Sequence, residues 1–363
     1  MTDESYIRLT LELARKGKGR VSPNPLVGAV IVKNGKIIGV GYHEYFGGPH
    51  AEINAINNVK EDLEGAELYV NLEPCSHFGK TPPCVDEIIK RKFKRVVIGT
   101  YDMNPLVCGK GAQKLIDAGI EVKVGVLENE CYELNKFFFN YIVKNIPYIA
   151  IKAAITLDGK IADNKKYSKW ISGIYSRQEV HNLRSEYDAV LVGANTVKID
   201  DPKLTVRFCE GRNPIRVIID KDLSLSLNYK VFQLEKPGQV IILARQSVST
   251  KKEKIKKLQS LGVDLIFVKE NAKGELNLKF LLKELAKKRI ASLLIEGGSK
   301  VYTSFIKQQL FDEILLFISP KLLGLGIPFI DDIGISSLKK ALQLEIKNFK
   351  KIGDDIFIEL KKK

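Results

Sequence analysis

Short apolar runs alternate with segments of helical pattern along most of the chain, and this alternation restricts the possible folds more than any other feature. The first two runs, 26–32 and 36–42, flank Asn34-Gly35, a dipeptide typical of a two-residue hairpin turn. Runs at 68–72, 96–98 and 122–126 follow, separated by helical patterns at 50–59, 84–92 and 110–118. This order predicts an α/β fold in which the later strands are parallel and helices cover both faces.

The pattern restarts around Pro147, which places a break before the strand-like segment 148–157. Five further strand candidates follow at 188–193, 214–220, 239–244, 263–268 and 291–298, and a sixth lies at 313–319. Segment 344–360 reads as a hairpin that closes one edge of the sheet. A chain of 363 residues is long enough for two cores, so we predict domains at 1–146 and 147–363.

Composition excludes several classes of protein. With 45% hydrophobic and 28% charged residues, the chain has the composition of a globular protein rather than a disordered one. No apolar run approaches the length that spans a bilayer, and the N-terminus lacks the pattern of a secretory signal, so we predict a cytoplasmic protein with no membrane partner. Four of the five cysteines precede residue 132, which favours metal or catalytic use over a disulfide framework.

The positive charge is concentrated in the second half of the chain. Residues 147–363 carry 39 Lys and Arg against 25 Asp and Glu, whereas residues 1–146 are almost neutral. A nucleic-acid surface is one explanation of this excess. Because 32 of the 39 cations are Lys, many of them in helical patterns such as 251–258, we favour solvated helix faces and predict no nucleic-acid partner.

Three candidate metal ligands occur in the first half with a carboxylate beside them. His50, Cys75 and Cys84 form the ligand set of a catalytic zinc site, which leaves the fourth position for water. Glu52 is placed to carry protons between water, substrate and leaving amine. The arrangement H-x-E…P-C…C is typical of zinc nucleobase deaminases. A closed zinc site completed by Cys108 or His77, or unliganded buried cysteines, is the structural alternative; we expect Cys108, Cys131 and Cys209 to be buried.

The spacing of the two cysteines narrows the subclass. Eight residues separate Cys75 from Cys84, where editing deaminases have two. With the segments NPLVGAV (24–30), GYHEYFGGPHAE (41–52) and EPCSHFGKTPPC (73–84), the chain resembles the bifunctional deaminase-reductase of riboflavin biosynthesis. The resemblance implies a cytidine-deaminase-like three-layer αβα domain that acts on a diaminopyrimidinone ribotide. It also implies substrate contacts from two groups of residues: His77 and Lys80 for the phosphate, and Asn24, His43, Asp102 and Asn104 for the ring or ribotide.

The second half contains no G-x-G-x-x-G motif after a strand, so a Rossmann dinucleotide site is not predicted. Instead, the strand pattern at 293–296 leads into Gly297-Gly298 and then a helical pattern, an arrangement that suits a phosphate at a helix N-terminus. Together with segments 152–162, 170–172 and 192–196, it resembles the dihydrofolate-reductase-like α/β reductase domain of the same family.

The same resemblance assigns site residues in this half. NADPH would contact seven residues: Ala154, Trp170, Thr196, Asp200, Gly298, Ser299 and Lys300. The ribotide would face Lys152, Ser168, Arg184, Leu204, Arg207 and Glu296, and we hypothesise that Lys152 holds or protonates the sugar as its ring opens. Arg is well suited to phosphate because its donors form a planar fork.

The predicted protein binds one Zn²⁺ per chain and NADPH, and the family expectation is a homo-oligomer. The resemblance implies that it deaminates 2,5-diamino-6-(5-phosphoribosylamino)pyrimidin-4-one and then reduces the ribosyl chain to give 5-amino-6-(5-phosphoribitylamino)uracil. Two alternatives remain open at this point. One is a zinc deaminase acting on RNA through a basic C-terminal domain, and the other is a deaminase fused to a non-catalytic regulatory or dimerisation domain.

Overall fold

The computed structural model of the protein describes residues 1–77, 82–105, 107–233, 240–271 and 274–363. These residues form two compact units, Met1–Ile146 (unit 1) and Pro147–Lys363 (unit 2). Within the described ranges, no helix has both the length and the apolar character needed to cross a membrane.

Unit 1 is a five-stranded mixed sheet with helices on both faces. Its elements in chain order are α1 (Asp3–Arg15), β1 (Gly28–Lys33), β2 (Lys36–Tyr42), α2 (Ala51–Asn57), β3 (Glu67–Leu72), α3 (Cys84–Lys90), β4 (Arg95–Thr100), α4 (Lys110–Asp117), β5 (Glu121–Val124), α5 (Glu128–Leu134) and α6 (Lys136–Lys144). The strand order is β2-β1-β3-β4-β5. The predicted hairpin is confirmed by the antiparallel pairing of β1 with β2, and the predicted parallel strands by the pairs β3–β4 and β4–β5.

The two faces of this sheet follow from the alternation of side chains along its strands. Ala29 and Ile31 of β1 belong to a core formed with α2, α3 and α4. Their neighbours Val30 and Val32 belong to a second core, formed with α1 and α5. The unit therefore has three layers, helix, sheet and helix, as expected from the strand pattern.

The sequence analysis missed α5 and α6. These helices are seven and nine residues long and are separated only by Asn135. Both are shorter than the window of about 11–18 residues over which helical periodicity is recognised, so periodicity alone does not reveal them.

Unit 2 contains a nine-stranded sheet. Its elements are β6 (Tyr148–Thr156), β7 (Lys160–Asp163), α7 (Ile174–Glu186), β8 (Ala189–Gly193), α8 (Ala194–Asp200), β9 (Ile215–Ile219), β10 (Val240–Arg245), α9 (Lys252–Ser260), β11 (Val263–Val268), α10 (Leu278–Lys287), β12 (Ser292–Gly297), α11 (Ser299–Lys307), β13 (Glu313–Ser319), β14 (Gly326–Pro328), β15 (Leu344–Ile352) and β16 (Asp355–Lys362). The strand order is β11-β10-β9-β8-β12-β6-β13-β16-β15. The first seven strands in that order are parallel, and the β15–β16 hairpin closes one edge as predicted.

The order of the central strands determines where a site can form in unit 2. β8, β12 and β6 are adjacent and parallel, so their carboxyl ends lie at one edge of the sheet. A separate two-stranded sheet, β7 with β14, was not predicted; these strands have only four and three residues.

Asp3 attaches α1 to the sheet of unit 1. Its carboxylate accepts two hydrogen bonds from the Arg95 guanidinium at 2.9 and 3.0 Å and one from Lys123 Nζ at 2.8 Å. The hydrogen bond from Arg95 is the main cause that lowers the pKa of Asp3 to about 2, with Lys123 acting in the same direction against the effect of burial.

Replacing Asp3 by Asn should therefore loosen α1 in a pH-dependent way. Because the folded pKa lies below the ordinary value, the stabilisation is fully present above about pH 4 and is lost as the pH falls towards 2. At pH 7 we expect Asp3→Asn to cost about 1–2 kcal/mol. Hydrogen exchange of α1 peptides in the full chain measures this cost. Glu4→Gln, which removes an exposed charge from the same turn, is the control; equal protection in both variants at pH 7 would contradict the prediction.

Candidate active sites in the two units

Three predicted metal ligands converge in unit 1. Nδ1 of His50 lies 3.2 Å from Sγ of Cys84 and 3.5 Å from Sγ of Cys75. The three ligand atoms all lie within 4.8 Å of one another. Ligands bound to one tetrahedral zinc ion at 2.0–2.3 Å are separated by about 3.5 Å, so both the donor set and its spacing fit zinc.

Local structure places these ligands. His50 precedes the first residue of α2, and Cys84 is the first residue of α3, so both lie at helix N-termini. At Cys84 the backbone dipole acts in favour of the thiolate. Cys75 lies in the loop after β3, where the backbone N–H of Cys84 donates to its sulfur at 3.4 Å. The sequence indicated all three positions, because His50 and Cys84 stand at predicted helix starts and Cys75 follows the end of a predicted strand.

Glu52 lies in the first turn of α2 with only 3% of its surface exposed. Burial raises the pKa of its carboxyl, whereas the neighbouring His50 acts in the opposite direction. The side chain is thus next to the metal cluster but outside the ligand set, as a proton carrier requires.

His43 is engaged within the protein through both ring nitrogens. Its Nδ1 lies 2.9 Å from the carbonyl oxygen of Pro49, which can only accept, so Nδ1 carries the proton. Nε2 therefore accepts from the Asn24 amide at 3.1 Å. Burial lowers the pKa of His43, which keeps the ring neutral. The imidazole links Asn24 to the residue that precedes the metal ligand His50.

The remaining predicted deaminase contacts lie on two loops. Asp102 follows β4 and is 7% exposed; burial raises the pKa of its carboxyl to about 6. One oxygen of this carboxyl accepts the backbone N–H of Asn104 at 2.8 Å, which fixes the turn between them. His77 is half-buried, and its Nδ1 has no hydrogen-bond partner among the described residues. Lys80 lies outside the described residues.

The expectation that the other three cysteines are buried is wrong for two of them. Cys131 is fully buried, but Cys108 is exposed and Cys209 half-exposed. Both of these lie in loops outside the strands and helices, so their apolar character did not predict burial. Neither Cys108 nor His77 is in the metal cluster, so the cluster as described has three ligands rather than four.

In unit 2, a cleft of about 1850 Å³ lies at the carboxyl ends of β6, β8 and β12. Pockets for single drug-sized ligands measure about 300–1,000 Å³, so this cleft has room for a dinucleotide together with a second ligand. All thirteen residues assigned by the resemblance line it: Lys152, Ala154, Ser168, Trp170, Arg184, Thr196, Asp200, Leu204, Arg207, Glu296, Gly298, Ser299 and Lys300.

An ion network forms the floor of the cleft. Arg184 donates from Nε and one terminal nitrogen to the two oxygens of Glu296 at 2.5 and 2.8 Å, and Lys152 Nζ lies 3.7 Å from the same carboxylate. Burial acts to raise the pKa of Glu296, but the charges of Arg184 and Lys152 outweigh it and lower that pKa to about 2. Burial lowers the pKa of Lys152. Glu296 therefore remains an anion and orients both cations.

The sequence analysis missed His181, which lies in the same cleft on α7, three residues before Arg184. Its Nδ1 accepts the backbone N–H of Arg207 at 2.9 Å. Burial and the charges of Arg184 and Arg207 lower the pKa of His181 to about 4, so the ring is neutral. The i, i+3 spacing to Arg184 is the signal that could have revealed it. Lys152, Arg184 and Arg207 lie around one buried carboxylate, Glu296, and the local surplus of positive charge suits a phosphate-bearing ligand.

A second missed feature surrounds Trp170, whose side chain is 63% exposed. The Arg177 guanidinium lies 4.0 Å from its ring centroid, within the range of a cation–π contact. Lys321 Nζ donates to the carbonyl oxygens of Trp170 and Ile171 at 3.0 and 2.7 Å. Asp355, the first residue of β16 in the terminal hairpin, accepts from the backbone N–H of Gly173 at 2.8 Å. These contacts come from distant segments, so spacing along the chain does not reveal them.

The backbone at Gly297-Gly298, where β12 ends, has a conformation that lets a ligand approach it closely. Gly297 has φ +129°, a conformation that residues with side chains rarely adopt, and a Cβ there would lie 3.0 Å from the Tyr302 hydroxyl. Gly298 precedes α11, and no side chain caps the N-terminus of this helix, an arrangement that suits an anionic ligand group. Across the cleft, Ser168 donates to the Asp200 carboxylate at 2.9 Å.

These features define a class of protein: a zinc deaminase joined to a nicotinamide-dependent reductase. Two family models match the chain. Residues 1–100 match the cytidine and deoxycytidylate deaminase zinc-binding region, and residues 147–358 match the RibD C-terminal domain. Zinc and NADPH are accordingly the cofactors.

Full-length relatives specify the family. The chain is 48% identical to the riboflavin biosynthesis protein RibD of Aquifex aeolicus (strain VF5), with 99% of this chain and 98% of the relative covered. The corresponding identity to RibD of Escherichia coli (strain K12) is 36%, with 99% of each covered. The chain therefore belongs to the RibD family of bifunctional deaminase-reductases of riboflavin biosynthesis.

Solved structures agree with this family. The deaminase/reductase of Thermotoga maritima shares 41% identity and a TM-score of 0.87, with 99% of both chains covered. RibD of Acinetobacter baumannii shares 34% identity and a TM-score of 0.89 over the same coverage. The RNA-deaminase alternative finds no support among these relatives, and the match of the second half to a reductase domain opposes a non-catalytic fusion.

The geometry of the cysteine cluster predicts which thiols retain zinc. Cys84→Ser replaces a soft thiolate with a hydroxyl that binds zinc weakly, so zinc content should fall from about one per chain to well below half, with loss of deamination. Cys108→Ser should retain zinc, since Cys108 is outside the cluster. Elemental analysis of the two purified variants measures both contents. Zinc loss in the Cys108 variant would contradict the three-ligand site.

Proposed function

We propose that unit 1 deaminates 2,5-diamino-6-(5-phosphoribosylamino)pyrimidin-4-one and that unit 2 reduces the product to 5-amino-6-(5-phosphoribitylamino)uracil. The observation that carries this proposal is the convergence of the His50, Cys75 and Cys84 ligand atoms beside a buried Glu52 that is not a ligand. The separate cationic cleft of unit 2 supports the second reaction.

In unit 1, zinc when bound makes water acidic enough to act as a nucleophile at neutral pH. His50, Cys75 and Cys84 would hold the metal, and Glu52 would carry a proton from the attacking water to a ring nitrogen and then to the departing ammonia. Asn24, which contacts His43, and Asp102, which accepts from the backbone N–H of Asn104, would bind the pyrimidine edge. His77 and Lys80 belong to the segment between the cysteines that we assign to the ribotide phosphate.

In unit 2, the chemistry that NADPH would supply when bound is hydride transfer, here to C1′ of the opened ribosylamine. Lys152 holds the sugar oxygen and protonates it as the ring opens, while Glu296 fixes the ammonium in place. Two guanidinium nitrogens of Arg184 are engaged by Glu296, so the more exposed Arg207 is the better candidate for the phosphate. Seven residues would hold the cofactor: Ala154, Trp170, Thr196, Asp200, Gly298, Ser299 and Lys300.

We further propose that the chain forms a homo-oligomer in the cytoplasm. β15, at the edge of the nine-stranded sheet, exposes 61% of Ile346 and 73% of Phe349, and an exposed apolar edge strand favours association. Free cysteines at all five positions agree with a reducing compartment. Sedimentation equilibrium should give a mass above that of one 40.7 kDa chain; a monomer at micromolar concentration would contradict the oligomer.

The masses of the products test whether unit 1 deaminates and unit 2 reduces. The zinc-loaded protein with NADPH should shift the diaminopyrimidinone ribotide by about +3 Da, because deamination adds about 1 Da and reduction about 2 Da. The Glu52→Gln protein should not convert the diaminopyrimidinone ribotide. It should still reduce the deaminated intermediate when that intermediate is supplied. Lys152→Met should stop at about +1 Da. Mass spectrometry of the three reactions separates the roles.

Two results would overturn these assignments. A Lys152→Met protein that reduces the intermediate at the parent rate would remove Lys152 from the chemistry. Deamination by Glu52→Gln at the parent rate would do the same for Glu52. Full turnover of the ribotide by the parent protein would at the same time show that its substrate is correctly assigned.

A further inference from the structure

Glu73 is a buried carboxylate that the chemistry described above does not use. It lies directly after β3, two residues before the metal ligand Cys75, and only 4% of its surface is exposed. Its backbone N–H donates to Thr100 of β4 at 3.0 Å, so the chain is still attached to the neighbouring strand at this residue. A buried carboxylate requires hydrogen-bond donors to offset its lost hydration.

Four backbone N–H groups supply those donors. One oxygen of Glu73 accepts from Asp102 at 3.2 Å and Gly109 at 2.9 Å, and the other accepts from Gly111 at 2.9 Å and Ala112 at 3.1 Å. The carboxylate therefore contacts both ends of the 102–112 segment: the residue that begins the ring-binding loop and the first turn of α4.

Glu73 takes the place of a helix cap that the sequence of α4 lacks. The residue before this helix is Gly109, which has φ +74° and no side chain to accept from the first-turn N–H groups. The packing is equally specific at Gly111, because a Cβ there would lie 2.2 Å from the Pro74 carbonyl oxygen. The first turn of α4 therefore lies against the backbone that leads to Cys75.

We propose that Glu73 is a positioning residue for deamination, which sets the distance between the zinc ligand Cys75 and the ring-binding residues Asp102 and Asn104. Glu73 is only two residues from the metal ligand Cys75 along the chain, and its carboxylate is hydrogen-bonded to the loop that carries Asp102. A substrate ring held by this loop is thereby aligned with the metal cluster. The inference rests on the proposed substrate contacts of Asp102 and Asn104.

Glu73→Gln tests this role with almost no change in size. The amide retains one acceptor oxygen, but its NH₂ group must face two N–H donors, so one pair of hydrogen bonds is lost. We expect the full-length variant to contain one zinc per chain, to reduce the deaminated intermediate at the parent rate, and to show a deaminase KM raised about tenfold with kcat changed less than about threefold.

The matched control is Glu67→Gln at the opposite end of β3, where Glu67 pairs with Lys94 and Arg95. This variant weakens the same strand without touching the substrate loop, so its deaminase KM should equal that of the parent. If Glu73→Gln does not fold, Gly111→Ala replaces it, because the added Cβ displaces the same turn from Pro74 and should raise KM with zinc retained.

Asp102→Ala, alone and combined with Glu73→Gln, separates failure of the inference from failure of the proposed site. A raised KM in Asp102→Ala, with no further increase in the double variant, would support action through the loop. An unchanged KM in Asp102→Ala would refute the proposed substrate contact instead. A parent-like KM in zinc-loaded Glu73→Gln, or the same KM change in Glu67→Gln, would overturn the positioning role.

Discussion

The parallel pairing of strands is the constraint on which both active sites depend. Parallel strands bring their carboxyl ends to one edge of a sheet, so residues that are far apart in sequence meet there. In unit 1, Cys75 follows β3 and Asp102 follows the adjacent β4. In unit 2, Lys152 lies on β6 and Glu296 near the end of the adjacent β12. Strand order therefore determines which side chains can meet at each site.

The two sites use opposite electrostatic solutions. The metal cluster combines two cysteines and one imidazole, a donor set whose two negative charges, once both thiols are deprotonated, balance a dication. The cleft of unit 2 instead surrounds one buried carboxylate, Glu296, with cationic side chains. That carboxylate stays ionised because its neighbours outweigh the cost of burial, and a buried charge is tolerated only when it is paired in this way.

Backbone N–H groups do much of the positioning in unit 1. Glu73 accepts four of them, and Asp102 accepts a fifth from Asn104. Such contacts fix loops that have no regular structure of their own, and they depend on carboxylates placed by the strand ends. A shift of the ring-binding loop would weaken its hold on the substrate ring, which is the effect expected when these backbone contacts are lost.

The sequence by itself determined most of the strands, the hairpins at Asn34-Gly35 and at the C-terminus, and the residue types of the zinc site, because turn chemistry and alternation are local properties. It did not reveal α5, α6 or the β7–β14 pair, since elements this short carry too few repeats. It also missed His181, the contacts around Trp170 and the role of Glu73. These depend on partners separated by up to 182 residues, as in the bond from Gly173 to Asp355. Only the tertiary structure decided them, because hydrogen-bond partners and burial are fixed by strand order and packing, which local sequence does not encode.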